Sequence, residues 1–213
     1  MTLYIFDWDG TLIDSAEKII ASMQGAALEL GLTAPGDDEV RHIIGLGLPE
    51  AILYLFPDLH LSERTRLQQL YSRHFVEAES MVSAAFPGVQ ETLQTLLQQG
   101  HQLAVATGKS RRGLERAFKD SGLARFFCSS RCADETKSKP HPLMLQQLLD
   151  ECRVPFDQAV MIGDTSYDME MASRLSMPRV AVSYGAHSKD KLLAYSPDMI
   201  IDDFSQVLAW QEV

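Results

Sequence analysis

Leu3-Tyr4-Ile5-Phe6-Asp7-Trp8-Asp9-Gly10-Thr11 sets an unbroken apolar run directly against two carboxylates. Four apolar residues without alternation are the pattern of a central parallel strand buried on both faces, so Asp7 and Asp9 emerge at its C-terminal edge. In open α/β sheets that edge is where ligands bind. Two carboxylates this close repel each other and raise a pKa unless a cation lies between them, and their hard oxygens suit Mg²⁺. The plainer alternative is a surface Asx turn finished by Gly10. Three further polar clusters behind later strands argue against it.

Beyond Thr11 the period becomes helical. Asp14 is placed to cap, with Glu17 three residues on as in a D-x-x-E capping box, and Ile19, Ile20, Met23, Ala27, Leu28 and Leu30 follow at helical spacing up to Gly31. A second short helix is expected from near Asp38 to before Gly45-Leu46-Gly47, and a third opens at Pro49 and ends at Pro57. Ser62 is placed to cap a fourth that carries Leu67, Leu70, Tyr71 and Phe75 on one face. From Phe86 onward strand and helix alternate. Strands are expected at 102–106, 126–129, 159–162, 179–182 and 199–201, with helices at 89–97, 114–121, 142–152 and 167–175. Alternation of this kind gives a parallel sheet with right-handed crossovers. The first strand belongs to that sheet. The fold class is therefore α/β, a Rossmann-like parallel-sheet core of residues 1–14 and 83–213 with an all-helical cap, 15–82, inserted after the first strand. Its two joints, Asp14-Ser15 and Met81-Val82-Ser83, are expected close together, as a lid that closes and opens requires.

The 213 residues are 46% hydrophobic and 23% charged, which suits one globular core plus an insertion. A net charge of −10 argues against a nucleic-acid or anionic-membrane partner, so any phosphate is bound by local groups. No apolar run approaches the roughly 18 residues of a membrane span. Met1-Thr2-Leu3 leads straight into a strand with no basic leader, so a soluble, cytoplasmic protein is expected. Cys128, Cys132 and Cys152 are odd in number and lack paired metal spacing, so they read as reduced thiols.

Three later clusters carry chemistry. Thr107-Gly108-Lys109 ends a strand with a hydroxyl, a turn residue that admits a ligand to the backbone, and a cation; hydroxyl and backbone N–H together can cradle phosphate oxygens. Alone, the triplet is an ordinary turn. Lys139 in Lys137-Ser138-Lys139-Pro140-His141-Pro142 precedes a proline-stiffened helix start, where a solvated charge is the commoner outcome. Gly163-Asp164-Thr165-Ser166-Tyr167-Asp168 again places carboxylates at a strand end, where Asp164 alone would be read as a helix N-cap. A parallel sheet brings all four clusters to one edge.

In order and spacing these clusters resemble the four motifs of the haloacid dehalogenase superfamily of phosphohydrolases, and the helical insertion resembles its C1-type cap. The resemblance spans essentially the whole chain. It implies that Asp7 is a nucleophile attacking phosphorus and that Asp9 protonates the leaving oxygen and later deprotonates water. It implies Mg²⁺ held by the Asp7 carboxylate, the Asp9 backbone carbonyl and Asp164, with Asp168 supporting that loop. Thr107, Gly108 and Lys139 would hold the phosphoryl oxygens, a division of labour that suits phosphoryl transfer, where positioning and charge neutralisation dominate. The superfamily's dehalogenases lack an acid at the position of Asp9 and its phosphonatases carry a small residue there, so neither chemistry is implied.

Within the superfamily, the cap and Phe86-Pro87-Gly88-Val89 most resemble phosphoglycolate phosphatase-like and phosphoglucomutase-like members. Val40-Arg41-x-x-x-Gly45-Leu46-Gly47-Leu48 resembles the cap's substrate-facing segment, which makes Arg41 and His42 the candidate substrate contacts. The implied function is a Mg²⁺-dependent phosphatase acting on a small phosphomonoester, phosphoglycolate-like or a sugar phosphate. The alternatives are a β-phosphoglucomutase-like phosphomutase and a non-catalytic regulatory protein, the latter disfavoured by retention of Asp7, Asp9 and Asp164. Thr107-Gly108-Lys109 stands where phosphoglycolate phosphatases often carry Thr-Asn-Lys, which leaves the substrate open. Tyr184-Gly185-Ala186-His187 follows a strand on the active edge, as a turn or a rim contact. Gly45-Leu46-Gly47 lacks the preceding strand that a dinucleotide fingerprint requires.

Overall fold

Six parallel strands form one sheet among the residues described by the computed structural model, 1–78 and 83–210. In chain order the elements are β1 (Leu3–Phe6), α1 (Ala16–Glu29), α2 (Asp37–Ile43), α3 (Leu48–Leu55), α4 (Leu61–Glu77), α5 (Val89–Gln98), β2 (Gln102–Thr107), α6 (Arg111–Ser121) and β3 (Ser129–Cys132). There follow α7 (Leu143–Cys152), β4 (Ala159–Gly163), α8 (Ser166–Ser173), β5 (Arg179–Val182), α9 (Lys189–Leu193) and β6 (Met199–Ile201). The strand order is β3-β2-β1-β4-β5-β6. Winding reverses at β1, so the crevice beyond the C-terminal ends of β1 and β4 is the sheet's switch point, where ligands bind in Rossmann-like folds.

β1 is apolar throughout because both its faces are covered. Tyr4 and Phe6 pack with Val105, Ile162, Val89 and Leu93 on the side of α5 and α6, while Leu3 and Ile5 pack with Ala104, Met161, Met144 and Leu148 on the side of α7 and α8. Each large apolar side chain so buried contributes about 1.5–3 kcal/mol. The pairing Phe6↔Val105 and Phe6↔Ile162 fixes the register in which the strand ends meet.

Helices α1–α4 lie between β1 and α5 and close around an apolar cluster of their own, including Ile20, Met23, Val40, Ile43, Ile52, Leu67 and Leu70. The chain leaves and re-enters the sheet region side by side: Ile13 bridges Ala85 antiparallel, and the Asp14 N–H donates to the Ala84 carbonyl at 2.8 Å. Of the second expected joint, Met81 and Val82 lie outside the described residues. No helix among the described residues is long and apolar enough to cross a membrane.

The structure corrects several local expectations. Ser15, not Asp14, is the N-cap of α1, and its hydroxyl is donated to Asp9 Oδ1 instead of to the helix. α4 starts at Leu61 behind His60, whose N–H is held by Glu63 at 3.0 Å; Ser62 sits inside the first turn. α6 begins at Arg111 because the Ser110 hydroxyl accepts the Gly113 N–H at 3.2 Å. The third strand is Ser129–Cys132, not 126–129, because Leu123–Phe126 winds into a 3₁₀ turn that buries Leu123 and Phe126 in the core. α9, with five residues, is too short to show a period.

Candidate active site

The ends of β1, β2 and β4 deliver Asp7, Thr107 and Asp164 to one place. Asp7 N–H still donates to the Ile162 carbonyl at 2.9 Å, so the ladder carries one residue past β1 and fixes its position. Asp168 comes from the first turn of α8, and Lys139 from the loop before α7. Asp7, Thr107, Lys139, Asp164 and Asp168 are all buried, none more than 1% exposed. The Lys139 expected by default in solvent is thus enclosed among acids.

Its ammonium lies 2.7 Å from Asp7 Oδ1 and 2.7 Å from Asp168 Oδ1. Asp168 Oδ2 accepts the Thr165 hydroxyl at 2.6 Å and the Thr165 N–H at 3.1 Å, so this side chain caps α8 while steadying Lys139. Asp164 accepts the Thr11 hydroxyl and the Ala186 N–H, both at 2.8 Å. Asp7 is provided for differently. Lys139 is its one charged partner, at Oδ1, and among the described residues its other buried oxygen, Oδ2, has no hydrogen-bond partner.

One carboxylate oxygen each from Asp7, Asp164 and Asp168 lies within 4.8 Å of the others. Three carboxylates against one ammonium leave the cluster about two charges negative when all are ionised. Burial pushes Asp7 well above the carboxylate range, with Asp168 and Asp164 adding to the rise and Lys139 opposing it. Burial likewise raises Asp164 to about 7, helped by Asp168. Burial works against the Lys139 charge, but Asp168 and Asp7 more than reverse that, so it is held protonated. A buried carboxylate oxygen without a donor, in a cluster of surplus negative charge, fits a hard divalent cation.

Asp9 is not one of these three clustered carboxylates. Its Oδ1 accepts the Ser15 hydroxyl at 2.5 Å and its Oδ2 pairs with Lys109 at 3.0 Å. It lines a cavity of about 940 Å³ between the α1–α4 helices and the loops after β1 and β2 with α6, along with Trp8, Ile44, Phe75 and Lys109. The Lys109 ammonium also sits 4.9 Å from the centre of the Phe75 ring. Gly108 lines the same cavity beside Thr107.

Arg41 and His42 are not in that lining, whereas Ile43, Ile44, Gly45 and Leu46 are. Val40 and Ile43 are the buried face of α2, which turns Arg41 outward to an ion pair with Glu17. The His42 ring packs instead on Tyr54 and His187, at centroid distances of 5.0 and 5.4 Å. Two contributors were not singled out from sequence: Thr11 and Ser15, which hold Asp164 and Asp9. Thr11 lies inside the first motif, but nothing in the sequence marks Ser15 beyond its place at a helix start. The Gly185-Ala186 turn, legible only as a rim contact, wraps Asp164 so closely that a Cβ on Gly185 would lie 2.1 Å from Asp164 Cβ.

Comparison with known proteins gives a consistent result. A family profile described as haloacid dehalogenase-like hydrolase matches residues 4–182. A protein from Dickeya dadantii (strain 3937) described as "Probable phosphatase IndB" is 36% identical, over 97% of this chain and 91% of its own length. A phosphoglycolate phosphatase from Vibrio parahaemolyticus is 27% identical, over 97% of this chain and 94% of its own. Among solved structures, a predicted phosphoglycolate phosphatase from Haemophilus somnus 129pt superposes with a TM-score of 0.87 at 25% identity, covering 98% of this chain and 97% of that one.

Proposed function

The chain belongs to the haloacid dehalogenase-like hydrolase family, and on that premise we propose that it is a cytoplasmic Mg²⁺-dependent phosphatase that hydrolyses a small phosphomonoester through a phosphorylated Asp7. Two relatives described as phosphoglycolate phosphatases support a phosphoglycolate-like substrate, with a sugar phosphate as the other member of the class. The observation that carries the reading is the contrast between the two acids of the first motif. Asp7 is buried, is paired only with Lys139 and has one oxygen without a partner among the described residues; Asp9 is oriented by Ser15 and Lys109 on the cavity side.

With Lys139 on Oδ1, Asp7 Oδ2 has no protein partner among the described residues and is the oxygen left for phosphorus. An Asp7 oxygen attacks phosphorus, the bond from phosphorus to the leaving oxygen breaks, and Asp9 gives that oxygen its proton. Asp9 then takes a proton from water as the water oxygen attacks phosphorus, phosphate departs and Asp7 is restored. The Thr107 hydroxyl and Gly108 N–H receive phosphoryl oxygens, and Lys139 offsets their charge and that of Asp7. Asp168 acts through Lys139 and the α8 cap. Asp7, Asp164 and the Asp9 backbone carbonyl would hold Mg²⁺, which when bound would neutralise further phosphoryl charge. Helices α1–α4 form the cap that closes over the site during phosphoryl transfer to Asp7.

The test is phosphate release from a panel of phosphorylated metabolites in heavy-oxygen water with Mg²⁺. Label in the released phosphate, absent with Asp7→Asn, is the expected result. Transfer of the phosphoryl group to a sugar hydroxyl would replace this reading with a phosphomutase, and no turnover of any phosphomonoester would remove it.

A further inference from the structure

The stretch 42–47, the end of α2 and the turn into α3, touches the core at several points, and three of them bear on the site. At these three the core partner adjoins a candidate site residue in sequence or through a hydrogen bond. The His42 carbonyl accepts two bonds from the core, the Tyr167 hydroxyl at 3.0 Å and His187 Nε2 at 3.0 Å. The His187 tautomer follows from its other nitrogen: Nδ1 accepts the Ser166 N–H at 3.0 Å, so Nε2 carries the hydrogen. Tyr167 immediately precedes Asp168, and the His187 N–H reaches the Asp164 carbonyl at 3.4 Å.

The second point is the Gly47 N–H, which donates to Ser138 Oγ at 2.8 Å; that hydroxyl in turn lies 3.2 Å from the carbonyl of Lys139. At the third, the Gly45 and Leu46 carbonyls lie against Gly108, where a Cβ would come within 2.4 Å of the Leu46 oxygen. Only a residue without a side chain beside Thr107 lets this turn seat. His42 itself faces His187 and Lys191 and is not in the cavity lining.

The geometry points to Ser138, Tyr167 and His187 as positioning residues, a latch that seats the 42–47 turn over the cavity when the loops carrying Lys139, Asp164 and Asp168 are in their assembled arrangement. This rests on the reading of α1–α4 as a cap that opens and closes. Order in the acid and lysine loops is then transmitted to the cap, and a seated cap holds those loops in place. The coupling is reciprocal, as any linkage between two equilibria must be.

Tyr167→Phe removes one hydroxyl and keeps the ring; Ser138→Ala removes another and keeps the backbone. Both are made singly and together in the full chain, and amide hydrogen exchange is followed in the absence of substrate. The double variant is expected to exchange about tenfold faster over residues 37–47, roughly the loss of one to two hydrogen bonds, with β1, β2 and β4 unchanged. On a phosphomonoester that the wild type turns over, KM rises by a similar factor while kcat falls by less. Exchange at the wild-type rate over 37–47, or acceleration of turn and core strands alike, overturns the latch. So does a collapse of kcat at constant KM. The exchange measurement needs no turnover, so it decides the latch even if the phosphatase reading fails.

Discussion

Replacing Lys139 by Met tests whether this lysine is the charge that makes the acid cluster tolerable. Met keeps most of the aliphatic stem, so the perturbation is the loss of an ammonium 2.7 Å from both Asp7 and Asp168. Removing one partner of a buried ion pair costs about 3–5 kcal/mol. The cluster can limit that cost by binding a proton, since Asp7 and Asp164 are already raised by burial. The expected loss at neutral pH is therefore at the lower end, about 3 kcal/mol, or roughly 6–12 °C in melting temperature for a chain of this size. The sign with pH follows from the raised carboxyl pKa values. Stability from these groups is intact below the unfolded value of 3.8 and falls as pH rises through the higher folded values, so the deficit grows with pH. Urea unfolding of wild type and Lys139→Met in chelator at pH 5 and pH 8 measures it. A deficit below about 1 kcal/mol at pH 8, or a larger deficit at pH 5 than at pH 8, would refute the reasoning.

Asp7→Asn removes one of the three clustered charges and is expected to unfold about 1–3 kcal/mol later than wild type in chelator while showing no turnover, as checked by the same urea series and a phosphate assay. Metal-free wild type should lose stability between pH 4 and pH 7 as Asp164, raised to about 7, is forced to ionise. That contribution is about 4 kcal/mol at most, and Asp164→Asn should show a shallower slope in melts taken across that range. Activity should vanish with chelator and return with Mg²⁺, with little support from Ca²⁺ because it prefers more ligands; a parallel rise in melting temperature on adding Mg²⁺ to chelated protein checks binding apart from turnover.

Much of this was legible because burial writes itself into sequence. β1 reads as a central strand because Leu3 to Phe6 are covered on both faces, and the same is true of Val160 to Ile162. β3 was displaced because an edge strand of Ser129, Ser130 and Arg131 carries no apolar signal, while the neighbouring Phe126 and Phe127 do. The acids of the site could be found from their place after strands. Lys139 could not be known from composition to be buried; its role came from resemblance, and the structure supplies the two carboxylates that make its burial affordable. Arg41 shows a different limit. One residue from Val40 on a short helix, it faces away from the buried side, and only the tertiary seating of α2 decides which residues reach the cavity. Ser15 and the His42–His187 contact depend on partners distant in sequence or off the helix period, so no local pattern could disclose them.

The most direct test of the central claim is to trap the phosphoryl group. Asp9→Asn keeps the nucleophile but cannot deprotonate water, so p-nitrophenyl phosphate, whose leaving group needs no proton, should load the enzyme and stop there. After acid quench and digestion, mass spectrometry should find one phosphoryl group on the N-terminal peptide, assigned to Asp7. An unmodified Asp7 after nitrophenolate has been released, or a phosphoryl group on any other residue, would contradict the account.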